Sequence, residues 1–492
     1  MKSRTLFYPI VEGALIMDDG RVPSGISGLD EIIGGGFPRG SLIVVAGKPG
    51  VGKTIFSAQF LYYGIINHGE NGVYVSFAED RKSFLTNMRG LGFDFEALEE
   101  AGRFRFLDLL TMKEEVAPTV LETILREVSD VKAKRLVIDS FSALAQSFKE
   151  THDVRVLLHA ILSRIARFLG CTTILIVESP HGEERMGFGI EEFVADGIIV
   201  LRRKRFDGRI MRELEIFKMR GTPTPETLTL YTLKGGLHIF PPFKPKPIDK
   251  PCRFKPQPDT EKFFSSGSQC LDMMLGGGYP KGSTALIEID EHVSTLQYHL
   301  IAAPTAWNFA AQGRGVLIIP SAGIDHNLIR EKAFEAGFTM DEINSLLRVC
   351  VKDYPGIKLE PYIVAFKGEN PIEDYEKYAN VERELMEKTG KPILRITGVD
   401  MLIGAYGVKE TISLIKTCVT RVREAGNLGI ILLKPGYPRL AKIIGATVDI
   451  HLKITREHGS VLIYGVKPRT NLHILEMDTS KGYPMPKLTP II

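Results

Sequence analysis

The sequence predicts an α/β protein with two tandem domains, each built on a mostly parallel central sheet flanked by helices. Three observations support this fold class. The chain has 492 residues, more than one ordinary domain core accommodates. Short apolar, β-branched runs alternate with helical patterns along the chain. A glycine-rich stretch near the N-terminus recurs, in register, in the second half.

Strands and helices alternate along both halves. The first half carries five apolar runs: SLIVVAG (41–47), GVYVSF (72–77), RLVIDS (135–140), TTILIVES (172–179) and GIIVLRRK (197–204). KTIFSAQFLYYGIIN and DVRVLLHAILSRIARFLG have the apolar spacing of amphipathic helices. The second half repeats the pattern with STALIEID, GVLIIPS, KPILRIT and LGIILLKP. Continuous apolar strands that alternate with helices are typical of a parallel sheet covered on both faces.

The two halves share one lead-in sequence. Residues 24–41, SGISGLDEIIGGGFPRGS, match residues 266–283, SGSQCLDMMLGGGYPKGS, at ten of eighteen positions with a constant offset of 242. We interpret this match as an internal duplication. The proline-rich stretch between the halves forbids a helix, so we predict a first domain over 1–240, a linker over 241–262 and a second domain over 263–492.

Composition limits the classes of function. Apolar residues make up 44% of the chain, charged residues 25%, and the formal net charge is +3. This balance lacks the dense positive field of a dedicated nucleic-acid binder. The five cysteines form no C-x-x-C pair and no ligand-like cluster, so we expect neither a disulfide framework nor a zinc site. No run approaches the roughly 18 apolar residues of a bilayer span, and we predict a soluble cytoplasmic protein.

GKPGVGKT, between an apolar strand and a helical pattern, fulfils the phosphate-binding motif G-x-x-x-x-G-K-[ST]. Gly50 and Gly52 let the backbone curl so that its N–H groups face phosphate oxygens. Lys53 reaches the β- and γ-phosphates, and the Thr54 hydroxyl is suited to Mg²⁺. We therefore predict an ATP and Mg²⁺ site whose nucleotide-binding residues are Gly47, Pro49, Gly50, Val51, Gly52, Lys53, Thr54 and Ile55.

The metal needs a carboxylate partner, and Asp139 follows the buried run RLVI. An acidic residue at the end of a strand can hold Mg²⁺ directly or through water. The alternative is a helix-capping role for Asp139.

At this point a resemblance becomes specific. The lead-in, the phosphate-binding loop, VIDSFSAL, FVADGIIVLRRK and EIFKMRGT together resemble the KaiC branch of RecA-like ATPases over roughly residues 20–243. Residues 263–492 resemble the same family weakly, as a decayed second copy, and an archaeal regulator with such domains would be similar. The resemblance implies a RecA-like core, a typically hexameric ring with ATP between neighbouring subunits, and slow, regulatory hydrolysis. It also implies that autophosphorylation is open to this chain.

Three further site residues come from the resemblance. FAED occupies the place where the family often has two adjacent glutamates, and here only Glu79 remains, after Ala78. Glu79 is then the residue that orients or deprotonates the attacking water, while Asp80 alternatively caps the next helix. KMRGT places Lys218 and Arg220 on one face of a strand. In the family this basic pair reaches the γ-phosphate of the adjacent subunit and acts catalytically.

The second copy lacks this chemistry. At offset 242, Ile289, Ser294, Thr295 and Leu296 replace Gly47, Gly52, Lys53 and Thr54. LRITGVDML aligns Thr397 with Asp139, with Asp400 as a displaced alternative. VKPRT keeps Lys467 and Arg469 at the positions of the basic pair, either as relics or for another anion.

The leading hypothesis is a Mg-dependent ATPase that forms a ring and acts as a regulatory switch, with the second domain serving assembly or a protein partner. One alternative is a RecA-like DNA motor, with RRKRFDGR (202–209) and SPHGEERMGFG (179–189) as DNA-facing segments, although Asp-Gly in the former is also a hairpin signal. The other is a nucleotide-gated scaffold that barely hydrolyses, which Ala78 favours.

Overall fold

A computed structural model describes residues 20–109, 117–145, 159, 161–179, 194–223, 227–353 and 359–492. Contacts divide the chain into two compact units. One comprises Met1–Arg202, Leu214–Thr227 and Gly235–His238, and the other comprises Arg203–Glu213, Leu228–Lys234 and Ile239–Ile492. Residues 241–262 contain neither helix nor strand. The domain boundaries at 240 and 262 stay a prediction.

Nine strands form the first large sheet. In chain order they are β3 (Leu42–Gly47), β4 (Gly72–Ser76), β5 (Phe104–Asp108), β6 (Arg135–Asp139), β7 (Thr172–Glu178), β8 (Gly197–Phe206), β9 (Arg209–Met219), β10 (Leu228–Thr232) and β11 (His238–Phe240). Their order across the sheet is β11-β10-β9-β8-β3-β7-β6-β4-β5. All pairs from β8 to β5 are parallel. Every residue of β3, β4 and β6 is buried, as expected for strands covered on both faces.

Ten strands form the second large sheet. They are β14 (Thr284–Ile289), β15 (Val316–Ile319), β16 (Leu347–Lys352), β17 (Ile363–Phe366), β18 (Leu394–Gly398), β19 (Leu428–Leu433), β20 (Ile450–Glu457), β21 (Ser460–Lys467), β22 (His473–Asp478) and β23 (Met485–Pro490). The order β17-β16-β15-β18-β19-β14-β20-β21-β22-β23 repeats that of the first sheet, with β17 added at the edge. The shared strand order supports a duplication, and the predicted α/β class with two mostly parallel sheets is confirmed.

Helices cover these sheets. In the first half they are Leu29–Ile32, Lys53–His68, Arg81–Arg89, Phe95–Glu100, Ala117–Asp130, Phe141–Ala145 and a π-type helix, Ile161–Phe168. In the second half they are Gln269–Leu275, Thr295–Ala311, His326–Glu335, Met340–Leu346, Pro371–Thr389, Val399–Glu424 and Pro438–Thr447. Of the helix predicted over 153–170, residues 153–158 and 160 lie outside the described residues, and Ile161–Phe168 forms the π-type helix. None of the helices in the described ranges is both long enough and apolar enough to cross a membrane.

The repeated lead-in builds the same small motif twice. In each copy two short strands pair antiparallel: β1 (Arg21–Val22) with β2 (Phe37–Pro38), and β12 (Phe263–Phe264) with β13 (Tyr279–Pro280). The aspartate of each Leu-Asp pair accepts a backbone N–H, Asp30 from Ser24 at 3.0 Å and Asp272 from Ser266 at 2.8 Å.

The third glycine of each Gly-Gly-Gly run has a steric reason. Gly36 has φ +129°, and a Cβ there would lie 2.3 Å from the Val22 carbonyl oxygen. Gly278 has φ +114°, and its Cβ would lie 2.4 Å from the Phe264 carbonyl oxygen. The conserved lead-in within this chain therefore serves the fold, which explains why it persists where the phosphate-binding loop does not.

Candidate functional site

The phosphate-binding motif forms the turn between β3 and the helix Lys53–His68. Gly50 and Gly52 have φ of +77° and +101°, a region that favours glycine over any residue with a Cβ. Gly52 is the residue before the helix, so the positive end of the helix dipole faces this turn. Lys48, Pro49 and Gly50 are exposed at its tip. The backbone thus has the curvature and the polarity that anion binding requires.

Lys53 lies inside the turn. Its Nζ donates to the Gly47 carbonyl at 2.8 Å and to the Lys48 carbonyl at 3.1 Å. Burial lowers the pKa of Lys53, and the carboxylates of Glu178 and Asp139 act against that shift. An ammonium group has three donors, so one remains for a phosphate oxygen beside the two carbonyl contacts.

Thr54 and Asp139 meet, although 85 residues separate them in the chain. The Thr54 hydroxyl donates to Asp139 Oδ2 at 2.8 Å, and the Tyr74 hydroxyl donates to the same oxygen at 2.6 Å. Adjacent ligands of an octahedral Mg²⁺ with bonds of about 2.0–2.1 Å lie about 2.9 Å apart. A hydroxyl and a carboxylate oxygen at this separation therefore fit the hard, octahedral ion in both chemistry and spacing.

Glu79 and Asp80 occupy different environments. Asp80 accepts from the Ser83 N–H at 3.0 Å and caps the helix Arg81–Arg89, as the capping alternative predicted. Glu79 is partly buried, and its Oε1 accepts from Asn87 at 2.6 Å. Burial raises the pKa of Glu79; the Asn87 hydrogen bond opposes this, and the Asp139 and Asp80 charges reinforce it. A carboxylate held near Asp139 with a raised pKa is suited to accepting a proton.

Lys218 and Arg220 are not brought to this turn. The Arg220 N–H donates to the Asp196 carbonyl at 2.8 Å, and its guanidinium pairs with Asp196 Oδ1 at 3.1 Å. Asp196 in turn accepts from the Leu42 N–H at 3.1 Å, at the start of β3, whereas the turn follows Gly47 at its end. Five residue steps of about 3.3 Å make this separation about 17 Å. Within one chain the basic pair and the phosphate-binding turn are therefore at opposite ends of β3.

Two site residues were not predicted from the sequence. Tyr74 shares Asp139 Oδ2 with Thr54, and Glu178 pairs with Gly47 in the ladder between β3 and β7. The signal for Glu178 is its place at the carboxyl end of a parallel strand, the edge where ligands of open α/β sheets bind. No such signal marks Tyr74, because it lies inside the apolar run GVYVSF and not at the end of a strand.

The second copy keeps the helix but changes its start. Helix Thr295–Ala311 begins at offset 242 from helix Lys53–His68, with Ser294 before it instead of a left-handed glycine. The Ser294 N–H donates to Gln297 Oε1 at 2.8 Å, and Asp290 Oδ1 accepts from the His292 N–H at 3.1 Å. Backbone groups here use the side chains of their own turn as partners, and Asp290 adds a negative charge where an anion would bind.

The alignment of Thr397 with Asp139 is wrong by one residue. At offset 242 Leu42 matches Thr284, and these pair with Thr173 and Gly429 in the neighbouring strands, so Thr172 matches Leu428. Arg135 pairs with Thr172 and Leu394 pairs with Leu428, so Arg135 matches Leu394. Counting four residues on from Arg135 and from Leu394 aligns Asp139 with Gly398. Asp400 accepts from the Ala322 N–H at 2.9 Å.

The second basic pair makes structural contacts. Lys467 Nζ donates to the Val448 carbonyl at 2.6 Å, and Arg469 donates to the Gly208 carbonyl at 2.9 Å. These bonds to backbone favour the relic interpretation over an anion site.

Comparisons with known proteins converge on one family. The family model described as "ATPase: KaiC" matches residues 22–242. The circadian clock oscillator protein KaiC of Thermostichus vulcanus is 33% identical over 275 residues, which cover 54% of this chain and 51% of that protein. The circadian clock protein KaiC3 of Synechocystis sp. is 33% identical over 279 residues, covering 54% and 53%. The chain thus spans about half the length of the curated relatives it matches.

A solved structure matches as well. The crystal structure of a KaiC-like protein from the archaeon Pyrococcus horikoshii OT3 is 37% identical, covers 45% of this chain and 99% of its own, and has a TM-score of 0.41.

Proposed function

We propose that the protein is a Mg-dependent ATPase whose first domain works in a homo-oligomeric ring as a regulatory switch, because residues 22–242 match the family model described as "ATPase: KaiC". The observation that carries the proposal is the meeting of Lys53, Thr54 and Asp139 at one end of β3 and β6. A lysine, a hydroxyl and a carboxylate at a glycine-rich turn are the groups that P-loop enzymes use on ATP and Mg²⁺.

Each residue has a chemical role in this proposal. The turn Gly47–Thr54 binds the phosphates through backbone N–H groups, and Lys53 donates to the β- and γ-phosphate oxygens. Thr54 and Asp139 hold Mg²⁺, which when bound neutralises phosphate charge. Glu79 orients the attacking water and accepts its proton, helped by its raised pKa. Tyr74 positions Asp139 by its 2.6 Å hydrogen bond.

The ring follows from the position of the basic pair. Lys218 and Arg220 lie about 17 Å from the phosphate-binding turn of their own chain, so they serve a nucleotide only if it is bound to a neighbouring copy. A head-to-tail interface supplies such a neighbour at every site of a closed ring. Hydrolysis is then coupled to assembly, and the ring is hexameric by family resemblance.

The second domain serves assembly or a protein partner rather than hydrolysis. Its turn has Thr295 where the lysine would be, Gly398 where Asp139 would be, and a capped helix start. Nucleotide binding with one equivalent per chain, instead of two, is the expected stoichiometry.

The DNA-motor alternative loses its main support. RRKRFDGR forms the hairpin between β8 and β9, with φ of +46° at Asp207 and +70° at Gly208, values of a two-residue hairpin turn. Three of its five cations pair with acids: Arg202 with Glu215, Lys204 with Glu213, and Arg209 with Asp207. Apart from Ser179, the segment 179–189 lies outside the described residues.

The test follows the γ-phosphate of labelled ATP on the purified full chain. Wild type is expected to release labelled phosphate, whereas Lys53→Ala is not. Thr295→Ala, the change at the position in the second turn that matches Lys53, is expected to leave release unchanged. Label that transfers to the protein would establish an autokinase. Label that stays in bound ATP would refute the ATPase and leave the nucleotide-gated scaffold.

A further inference from the structure

A large cavity among the described residues belongs to the second unit and has no part in the proposed ATP chemistry. Its volume is about 710 Å³, and its walls come from the helices Thr295–Ala311 and His326–Glu335, from the strand Val316–Ile319 and from residues 245–251. This volume lies within the range of small-molecule sites, about 300–1,000 Å³. No described segment of the chain fills it.

The cavity is long and apolar. It follows one face of the helix from Thr295 to Ala310, which at 1.5 Å per residue is about 22 Å. Small side chains hold this wall open: Ala302, Ala303, Ala306 and Ala310. Larger side chains at these four positions would fill the cavity. The cavity therefore results from several small residues along one helix and not from a single poorly packed residue.

One end of the cavity is polar. Thr295, His299 and Ser321 line it there, close to the helix start. Ser321 is 1% exposed, and its hydroxyl lies near the Tyr298 hydroxyl but makes no well-aligned hydrogen bond in the described part of the chain. A buried hydroxyl without a partner costs roughly 1–3 kcal/mol, which a ligand oxygen would recover.

The charges of the lining favour an anion. Lys246 and Lys332 line the cavity against one acidic residue, Glu335. Burial lowers the pKa of His299 to about 4, and the charges of Lys434 and Lys332 act in the same direction. The imidazole is therefore neutral at pH 7 and lies in a positive field. Lys332 pairs with Glu335 on the surface, with 41% of its side chain exposed, and such exposed pairs exchange partners at little cost.

We propose that the second domain binds a long-chain fatty carboxylate, with its hydrocarbon chain along the alanine-lined helix and its carboxylate at Lys332 and Ser321. The elongated apolar body requires a single long chain, and the unpartnered hydroxyl with the neighbouring ammonium requires an anionic head group. This assignment does not depend on the proposed ATPase activity.

Trp307 provides a direct readout, because it lines the cavity, is 6% exposed and is the single tryptophan of the chain. The probe is a long-chain fatty acid brominated in mid-chain, since bromine quenches tryptophan emission on contact. Titration of the full chain is expected to give saturable quenching that unbrominated palmitate reverses. Absence of saturable quenching would overturn the proposal.

Four variants locate the chain and its head group. Ala306→Phe fills the cavity and is expected to weaken binding at least tenfold, while Ala311→Phe adds the same volume to the same helix outside the lining and is expected to retain it. Lys332→Met is expected to weaken binding of the acid about tenfold, in line with a lost charged hydrogen bond, without affecting the long-chain alcohol. Circular dichroism checks that each variant folds. Ala303→Leu adds a smaller side chain to the cavity and serves as a second variant if Ala306→Phe fails to fold. Unchanged binding by both filled variants, or equal affinity for acid and alcohol in wild type, would contradict the assignment.

Discussion

Replacing Arg220 by alanine tests whether each active site is completed by a neighbouring subunit. The guanidinium is fixed beside Asp196 at 3.1 Å, and Asp196 is bonded to the first residue of β3. The phosphate-binding turn follows the last residue of the same strand, about 17 Å away. The same charge is therefore remote from one site and, in a head-to-tail ring, close to another.

The two geometries predict very different losses. Across about 17 Å of water, one unit charge contributes about 0.25 kcal/mol before screening. A Debye length of about 8 Å reduces this contribution to about 0.03 kcal/mol, a rate change of a few per cent. A donor that contacts transition-state charge contributes about 2.7–4 kcal/mol, a factor of about 10²–10³. Arg220→Ala is therefore expected to lose about 10²–10³ in turnover only if it acts on a neighbour.

Mixing distinguishes a trans contact from damage to the fold. Arg220→Ala keeps its turn, and Lys53→Ala keeps its basic pair, so each is inactive alone under this hypothesis. When equal amounts are mixed before ATP is added, half of the turns are intact and half of their neighbours carry Arg220. About a quarter of wild-type phosphate release should return. Arg167→Ala removes the other guanidinium near Asp196, at 4.0 Å, and serves as the control with unchanged turnover.

Full activity of Arg220→Ala alone would refute the trans role. So would a mixture that stays inactive although light scattering and labelled subunits show that mixed rings form.

Three further predictions address the metal, the base and the lead-in. Chelation of Mg²⁺, or Thr54→Ala, should lower phosphate release to the level of Lys53→Ala, and restoration by Mg²⁺ should occur in wild type only. Glu79→Gln should slow hydrolysis by about 10²–10⁴ while fluorescent ATP analogues still bind. The pKa of Glu79 is raised, so on acidification its active carboxylate is protonated at a pH above the ordinary glutamate value of about 4.3. Turnover of the wild type should therefore begin to fall at that higher pH. Asp272→Ala leaves the buried Ser266 N–H unpaired and should lower the free energy of unfolding by about 2 kcal/mol in urea titrations, with ATP turnover of the first domain unaltered; a loss of turnover without a loss of stability would contradict the view that the lead-in serves the fold.

Local signals explain what could be predicted. The phosphate-binding turn is eight consecutive residues, and its strand and helix context is read from adjacent runs, so Lys53 and Thr54 needed no tertiary information. The lead-in match, the loss of the lysine at Thr295 and the alternation of strands with helices are equally local. Asp139 was found because the end of a buried strand carries an acidic residue.

Long-range placement explains the rest. Register between strands moved the counterpart of Asp139 from Thr397 to Gly398, because ladder bonds and not matching letters fix which residues are neighbours. The cavity proposed to bind a fatty acid has walls that include residues 245–251, 295–310 and 316–338. No single one of these segments carries a sequence pattern that predicts the cavity.

By itself, the sequence determined two α/β copies, one phosphate-binding turn and its absence from the second copy. These features depend on neighbouring residues and on backbone conformations that glycine alone adopts freely. The tertiary structure alone decided that Tyr74 and Glu178 join the turn and that Lys218 and Arg220 lie at the opposite end of β3. The physical reason is the order of the strands, which places β3 between β7 and β8. The length of β3 separates the phosphate-binding turn from the basic pair, and the sequence alone does not give the distance between them.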